Sequence, residues 1–94
     1  MIIGKQEFLE RTRLDVKVLD VWIQEEWLLP QQTAADLAFS DADLARAKLI
    51  LDLTDVMGVN DEGVGIILHL LDQMHGLRRA LTEVVQAARN QTPS

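Results

Sequence analysis

The stretch on which the fold turns is DVKVLDVWIQEEWLLP, residues 15–30. Val16, Leu19, Ile23 and Trp27 recur at helical spacing, with Trp22 and Glu26 alongside. Asp15 is a candidate N-cap, its carboxylate near the free amides of the first turn. Pro30 disfavours helix at Leu29 and ends the element. The spacing predicts a short helix with Val16, Leu19, Trp22 and Ile23 on its core side. Lys17, Val18, Asp20, Val21, Gln24 and Glu25 then face outward. Upstream, Gln6 to Arg11 fits a two-turn helix with Phe8 and Leu9 as apolar contacts, and Thr12-Arg13-Leu14 is a turn. A short helix, a turn and a second helix is the shape of a DNA reader. The charge opposes it: Lys17 stands alone against Asp15, Asp20, Glu25 and Glu26.

The whole chain carries the same conflict. It has 94 residues and a net charge of −6, which repels phosphate backbones. The length fits one small domain with a thin core, for which oligomerisation is a common remedy. Hydrophobic residues make up 48%, too many for a disordered acidic tail. Cysteine is absent, which excludes disulfides and thiolate metal sites. No apolar run approaches the ~18 residues of a membrane span, and charges follow Met1-Ile2-Ile3 at once, unlike a signal peptide. The cytoplasm is the expected location, or the nucleoid through a partner.

Met1 to Gly4 is a strand or an extended arm, and Gln31 to Phe39 a loop or small hairpin. Ser40-Asp41-Ala42-Asp43 resembles a capping box. A helix follows through Leu44, Ala47, Ile50, Leu51 and Leu53 to about Met57. Gly58 occupies a C′ position, and Asn60 caps the next helix. That last helix is the longest, from about Asp61 to Arg89. Along it Ile67, Leu70, Met74, Leu77, Leu81, Val84 and Ala88 alternate spacings of three and four. This is an a/d heptad seam, longer than so small a domain can cover, and it predicts a homodimer. The expected division is a DNA-reader-like domain over 1–57, a dimerisation helix over 58–90 and a frayed tail over 91–94.

Catalytic chemistry finds little support. Tyrosine is absent, and the serines are Ser40, better explained as a cap, and Ser94. His69 and His75 are six apart, on different helix faces, and cannot chelate one metal as an i, i+4 pair would. Gly58, Gly63 and Gly65 form no phosphate loop; the latter two fit close helix packing. No catalytic residue, cofactor or metal is expected, and no enzyme.

Three features in order carry a resemblance. They are the helix pair ending in Trp27-Leu28-Leu29-Pro30, the stretch leading to Phe39-Ser40-Asp41-Ala42-Asp43-Leu44, and Met57-Gly58-Val59-Asn60 before the long helix. Together they resemble the MerR-like winged helix-turn-helix family, over residues 5 to about 85. Within it, Gly58-Val59-Asn60-Asp61-Glu62-Gly63-Val64 leading into Ile67-Leu68-His69-Leu70-Leu71-Asp72-Gln73-Met74 is similar to the CbpM chaperone modulators. The DNA-binding relatives place an arginine where Asp20 follows Leu19. They also carry arginines on a wing that here reads Gln31-Gln32-Thr33-Ala34-Ala35-Asp36-Leu37. Trp27 takes the place of their usual glycine.

The resemblance implies a mostly α fold, a winged helix-turn-helix with a long C-terminal dimerisation helix in an antiparallel coiled coil. It also implies binding to the J-domain of a DnaJ-like co-chaperone of the CbpA type, inhibiting its co-chaperone action and its DNA association. An acidic outward face with a small apolar centre suits a basic partner helix. The expected partner-binding residues are Glu10, Asp15, Val18, Asp20, Val21 and Glu25, with Glu7 as an extension. The seam residues Ile67 to Ala88 named above are the expected dimer contacts. The rival functions are a MerR-like DNA-binding transcriptional regulator and a structural dimerisation module.

Overall fold

The computed structural model describes residues 1–91. The element order is β1 (Ile2–Gly4), α1 (Lys5–Thr12), α2 (Val16–Gln24), β2 (Gln31–Gln32), β3 (Leu37–Ser40), α3 (Asp41–Leu51), a π-helical turn (Asp52–Val56) and α4 (Asp61–Gln91). The fold is mostly α, a winged helix-turn-helix followed by one long helix, as the sequence predicts. It divides into two compact units, Met1–Val64 and Gly65–Ser94.

The first unit holds the helix pair and the sheet. The N-terminal segment is a strand, not a free arm. It pairs antiparallel with β3, Ile3 opposite Phe39, and β2 pairs on the other side of β3, Gln32 opposite Leu37. The order is therefore β1-β3-β2, with the β2–β3 hairpin as the wing. Its four-residue tip is closed by Thr33 and Asp36: the Thr33 amide donates to the Asp36 carbonyl, and the Asp36 amide to the Thr33 hydroxyl.

Helix α1 lies against β1, β3 and α3. At that junction Phe8 and Phe39 are fully buried and stacked, centroids 4.1 Å apart. Leu19, Leu28, Ile50 and Val64 are the other large side chains that are fully buried, each burial contributing roughly 1.5–3 kcal/mol. The starts of α2 and α3 follow their sequences. Asp15 accepts from the Lys17 amide at 2.8 Å. Ser40 and Asp43 form a reciprocal capping box, which satisfies two of the amides a helix start leaves free.

Three features depart from the sequence expectation. Helix α2 ends at Gln24, six residues before Pro30. Glu26 turns left-handed at φ 62°. Its amide then bonds the Ile23 carbonyl and the Trp27 amide bonds the Trp22 carbonyl. This is a Schellman closure, with its usual apolar contact supplied by Trp27 against Trp22. Trp27 is thus buried beyond the helix instead of continuing its stripe. Val16, expected inside, is exposed because it opens the first turn at the rim of the core. The third departure is at the end of α3, which widens into the π-helical turn. There the Met57 amide reaches back five residues to Asp52. Gly58 then adopts φ 70°, as its C′ position requires.

Helix α4 opens with the Gly63 amide on the Asn60 side chain at 2.8 Å. A Cβ at Gly63 would lie 2.7 Å from Val59 Cγ1, so any larger residue in this first turn would force the Val59 side chain to shift. In the second unit Leu68 is buried, while Leu70, Met74, Leu77, Leu81 and Val84 are exposed along the helix. Of the expected frayed tail, Gln91 belongs to α4, and residues 92–94 lie outside the described residues.

Candidate functional site

The outward face of α2 owes its shape to helical geometry. At about 100° per residue, Val18, Val21 and Glu25 fall within about 60° of one another. Asp20 lies about 100° from Val21 and further from Val18. The two valines are 41% and 50% exposed, which leaves an apolar stripe open to solvent. Beside it is a groove of about 340 Å³ lined by Lys17, Val18, Val21, Trp22, Trp27 and Asp61.

The floor of this groove is the two indoles, tilted at 42° with centroids 6.2 Å apart. Trp22 is held by α2, and Trp27 by the left-handed turn at Glu26. The Trp27 carbonyl also accepts from Arg46 Nε, which ties that turn to α3. The walls are the two valines. Lys17 and Asp61 supply the charges at the rim, one of each sign. Glu62 stands beside Asp61, and both residues are exposed.

The six expected partner-binding residues are not gathered in one place. Val18 and Val21 line the groove. Glu25 continues their stripe by spacing and is exposed. Asp15 caps α2 through the Lys17 amide. Asp20 faces the other flank and pairs with Lys5 at 3.3 Å. Glu10 is exposed on α1, and Glu7 pairs with Arg11 at 3.0 Å. The sequence reading did not assign Lys17, Trp22, Trp27 or Asp61 to the site. Trp27 required the turn at Glu26, and Asp61 comes from 40 residues downstream of Val21.

The arrangement offers little to a phosphate backbone. Lys17 is the only cation on α2, and the wing from Gln31 to Leu37 carries Asp36 and no base. Lys5 and Arg11 are engaged with carboxylates. Phosphate contacts from Lys and Arg are what position a protein on duplex DNA. Among the described residues, no group of three or more His, Cys, Asp or Glu side chains could hold a metal ion. No helix among them is long and apolar enough to cross a membrane.

Of the expected dimer contacts, Leu70, Met74, Leu77, Leu81 and Val84 are each at least 46% exposed in the single chain. Ala88 is exposed as well and Ile67 is half-buried. Apolar residues at these positions are otherwise covered in a helix that packs within its own chain.

A family model described as MerR HTH family regulatory protein matches residues 3–86. Comparisons with curated proteins and with solved structures returned no match.

Proposed function

Since the chain belongs to the MerR helix-turn-helix regulatory family, we propose that it is a regulator of the CbpM type. It binds the J-domain of a DnaJ-like co-chaperone through α2 and inhibits that co-chaperone and its DNA association. It acts as a homodimer joined along the α4 seam, without catalysis or cofactor. The observation that carries this is the exposed Val18–Val21 pair on a helix with one cation. A helix in this position that reads DNA needs cations at its surface and on the wing. One that grips a protein needs a small apolar centre in a polar rim, which excludes water from the contact.

Calorimetry with a recombinant J-domain tests the assignment. Val18→Ala and Val21→Ala each weaken binding by roughly fivefold, as truncation of a moderate interface anchor does. Asp20→Arg on the neighbouring flank reduces the on-rate through lost charge complementarity. No binding by the wild-type protein would remove the co-chaperone assignment.

A DNA-binding transcriptional regulator is the second candidate, favoured by the family itself. Tight duplex binding in a low-salt gel shift, lost steeply as salt rises, would establish it in place of the first.

A further inference from the structure

We propose that the groove on α2 seats the apolar anchor of a basic amphipathic helix, with a cation of that helix on Asp61. This deepens the co-chaperone assignment and rests on it for the partner's identity.

The size of the groove sets the kind of anchor. A cavity of ~150 Å³ holds a benzene-sized group, so about 340 Å³ takes a leucine or phenylalanine side chain and part of a neighbour. The floor is preorganised: Trp22 and Trp27 are 5% and 8% exposed and are fixed by the Schellman closure. A partner therefore spends little ordering free energy on it. The groove runs along a helix, whose backbone amides are engaged internally, and not along a strand edge. An added strand would find no ladder to join, whereas an amphipathic helix needs only side-chain contacts. A phosphate backbone gains nothing from two buried indoles and two valines.

Charge sets the sign of the guest. Asp61 lies at the rim, Glu62 beside it and Glu25 at the end of the valine stripe, against Lys17 alone. A guest helix with cations next to its anchor is favoured. Lys17 and Asp61 are opposite charges at the rim, so the guest's cation goes to Asp61 and any carboxylate to Lys17.

The two tryptophans are the only ones in the chain, and both line the groove. Their emission therefore reports occupancy directly. The probe is a tryptophan-free and tyrosine-free amphipathic peptide of Lys, Leu and Ala, titrated into the full-length protein. A peptide of the same composition with its amphipathic order scrambled is the comparison. The amphipathic peptide shifts the emission saturably, and the scrambled one needs at least about tenfold higher concentration. Val21→Asp weakens the response more than about tenfold, since it places a charge against an apolar anchor. Asp61→Lys weakens it several-fold. Val18→Gln, at an already exposed position, serves as the second variant if Val21→Asp lowers the melting temperature. Equal response to both peptides, or wild-type binding by all three variants, would overturn the groove. A J-domain that binds by calorimetry with no change in emission, and equally to Val21→Asp, would overturn the groove and leave the co-chaperone assignment standing. Peptide binding lost in Val21→Asp together with no J-domain binding would support the groove and remove that assignment.

Discussion

Replacing Glu26 by glycine should raise stability, and the sign of the effect tests how α2 ends. Glu26 sits at φ 62°, a left-handed conformation that costs a non-glycine residue roughly 1–2 kcal/mol. Glycine removes that cost but loses about 0.5–1 kcal/mol of extra chain entropy on folding. The expected net gain is about 0.5–1 kcal/mol. The comparison is Glu26→Ala, which keeps a Cβ at the same φ and also removes the carboxylate near the negative end of the helix. The difference between the two variants therefore isolates the backbone. For a domain of this size, it corresponds to a melting midpoint roughly 2–8 °C higher for Glu26→Gly than for Glu26→Ala. Circular dichroism melts at one fixed protein concentration measure it, since association shifts the midpoint by mass action. If α2 instead ran unbroken to Pro30, glycine would sit in a helix interior and lie about 1 kcal/mol below alanine. Glu26→Gly melting with or below Glu26→Ala would thus refute the Schellman closure and, with it, the placement of Trp27 in the groove.

Two further perturbations address the core and the assembly. Phe39→Ala removes one ring of the fully buried Phe8–Phe39 stack and should cost about 3–5 kcal/mol, read from urea denaturation; a cost under about 1 kcal/mol would be incompatible with that packing. Leu77, 71% exposed in the single chain, lies mid-seam, so Leu77→Lys should convert a dimer to a monomer in sedimentation velocity at micromolar concentration. A wild-type monomer at that concentration would refute the seam as an interface.

Elements whose signals are local were legible in the sequence. Asp15, the Ser40–Asp43 box, Gly58 and Asn60 each announce a helix boundary through a residue type with a known capping role, and each boundary falls where it was placed. The long helix α4 was legible as well, because its apolar residues repeat at helical spacing. The end of α2 was not. Its left-handed residue is a glutamate, so the glycine that normally marks such a turn is missing and Trp27 fell into helical register. The π-helical turn has no residue signature either. At the candidate site, Val18 and Val21 followed from the period of α2. Asp20 was assigned to the same face, yet its partner Lys5 is 15 residues away on another helix. Asp61 joins the groove only through the tertiary fold, which no local pattern encodes.

The π-helical turn bears on how the groove is specified. From Asp52 to Val56 the chain closes bonds five residues back, one more than α geometry requires. Removing a single residue there would let the turn close as ordinary helix. Every later position in the first unit would then arrive rotated by about 100° and displaced by about 1.5 Å along the axis. Gly58 and Asn60 would start α4 from a different point, and Asp61 would leave the rim of the groove. The position of that carboxylate is therefore set by chain length as well as by residue type. Substitutions at Asp61 change which charge is offered, but a one-residue deletion within 52–56 changes where it is offered, with every groove side chain still present.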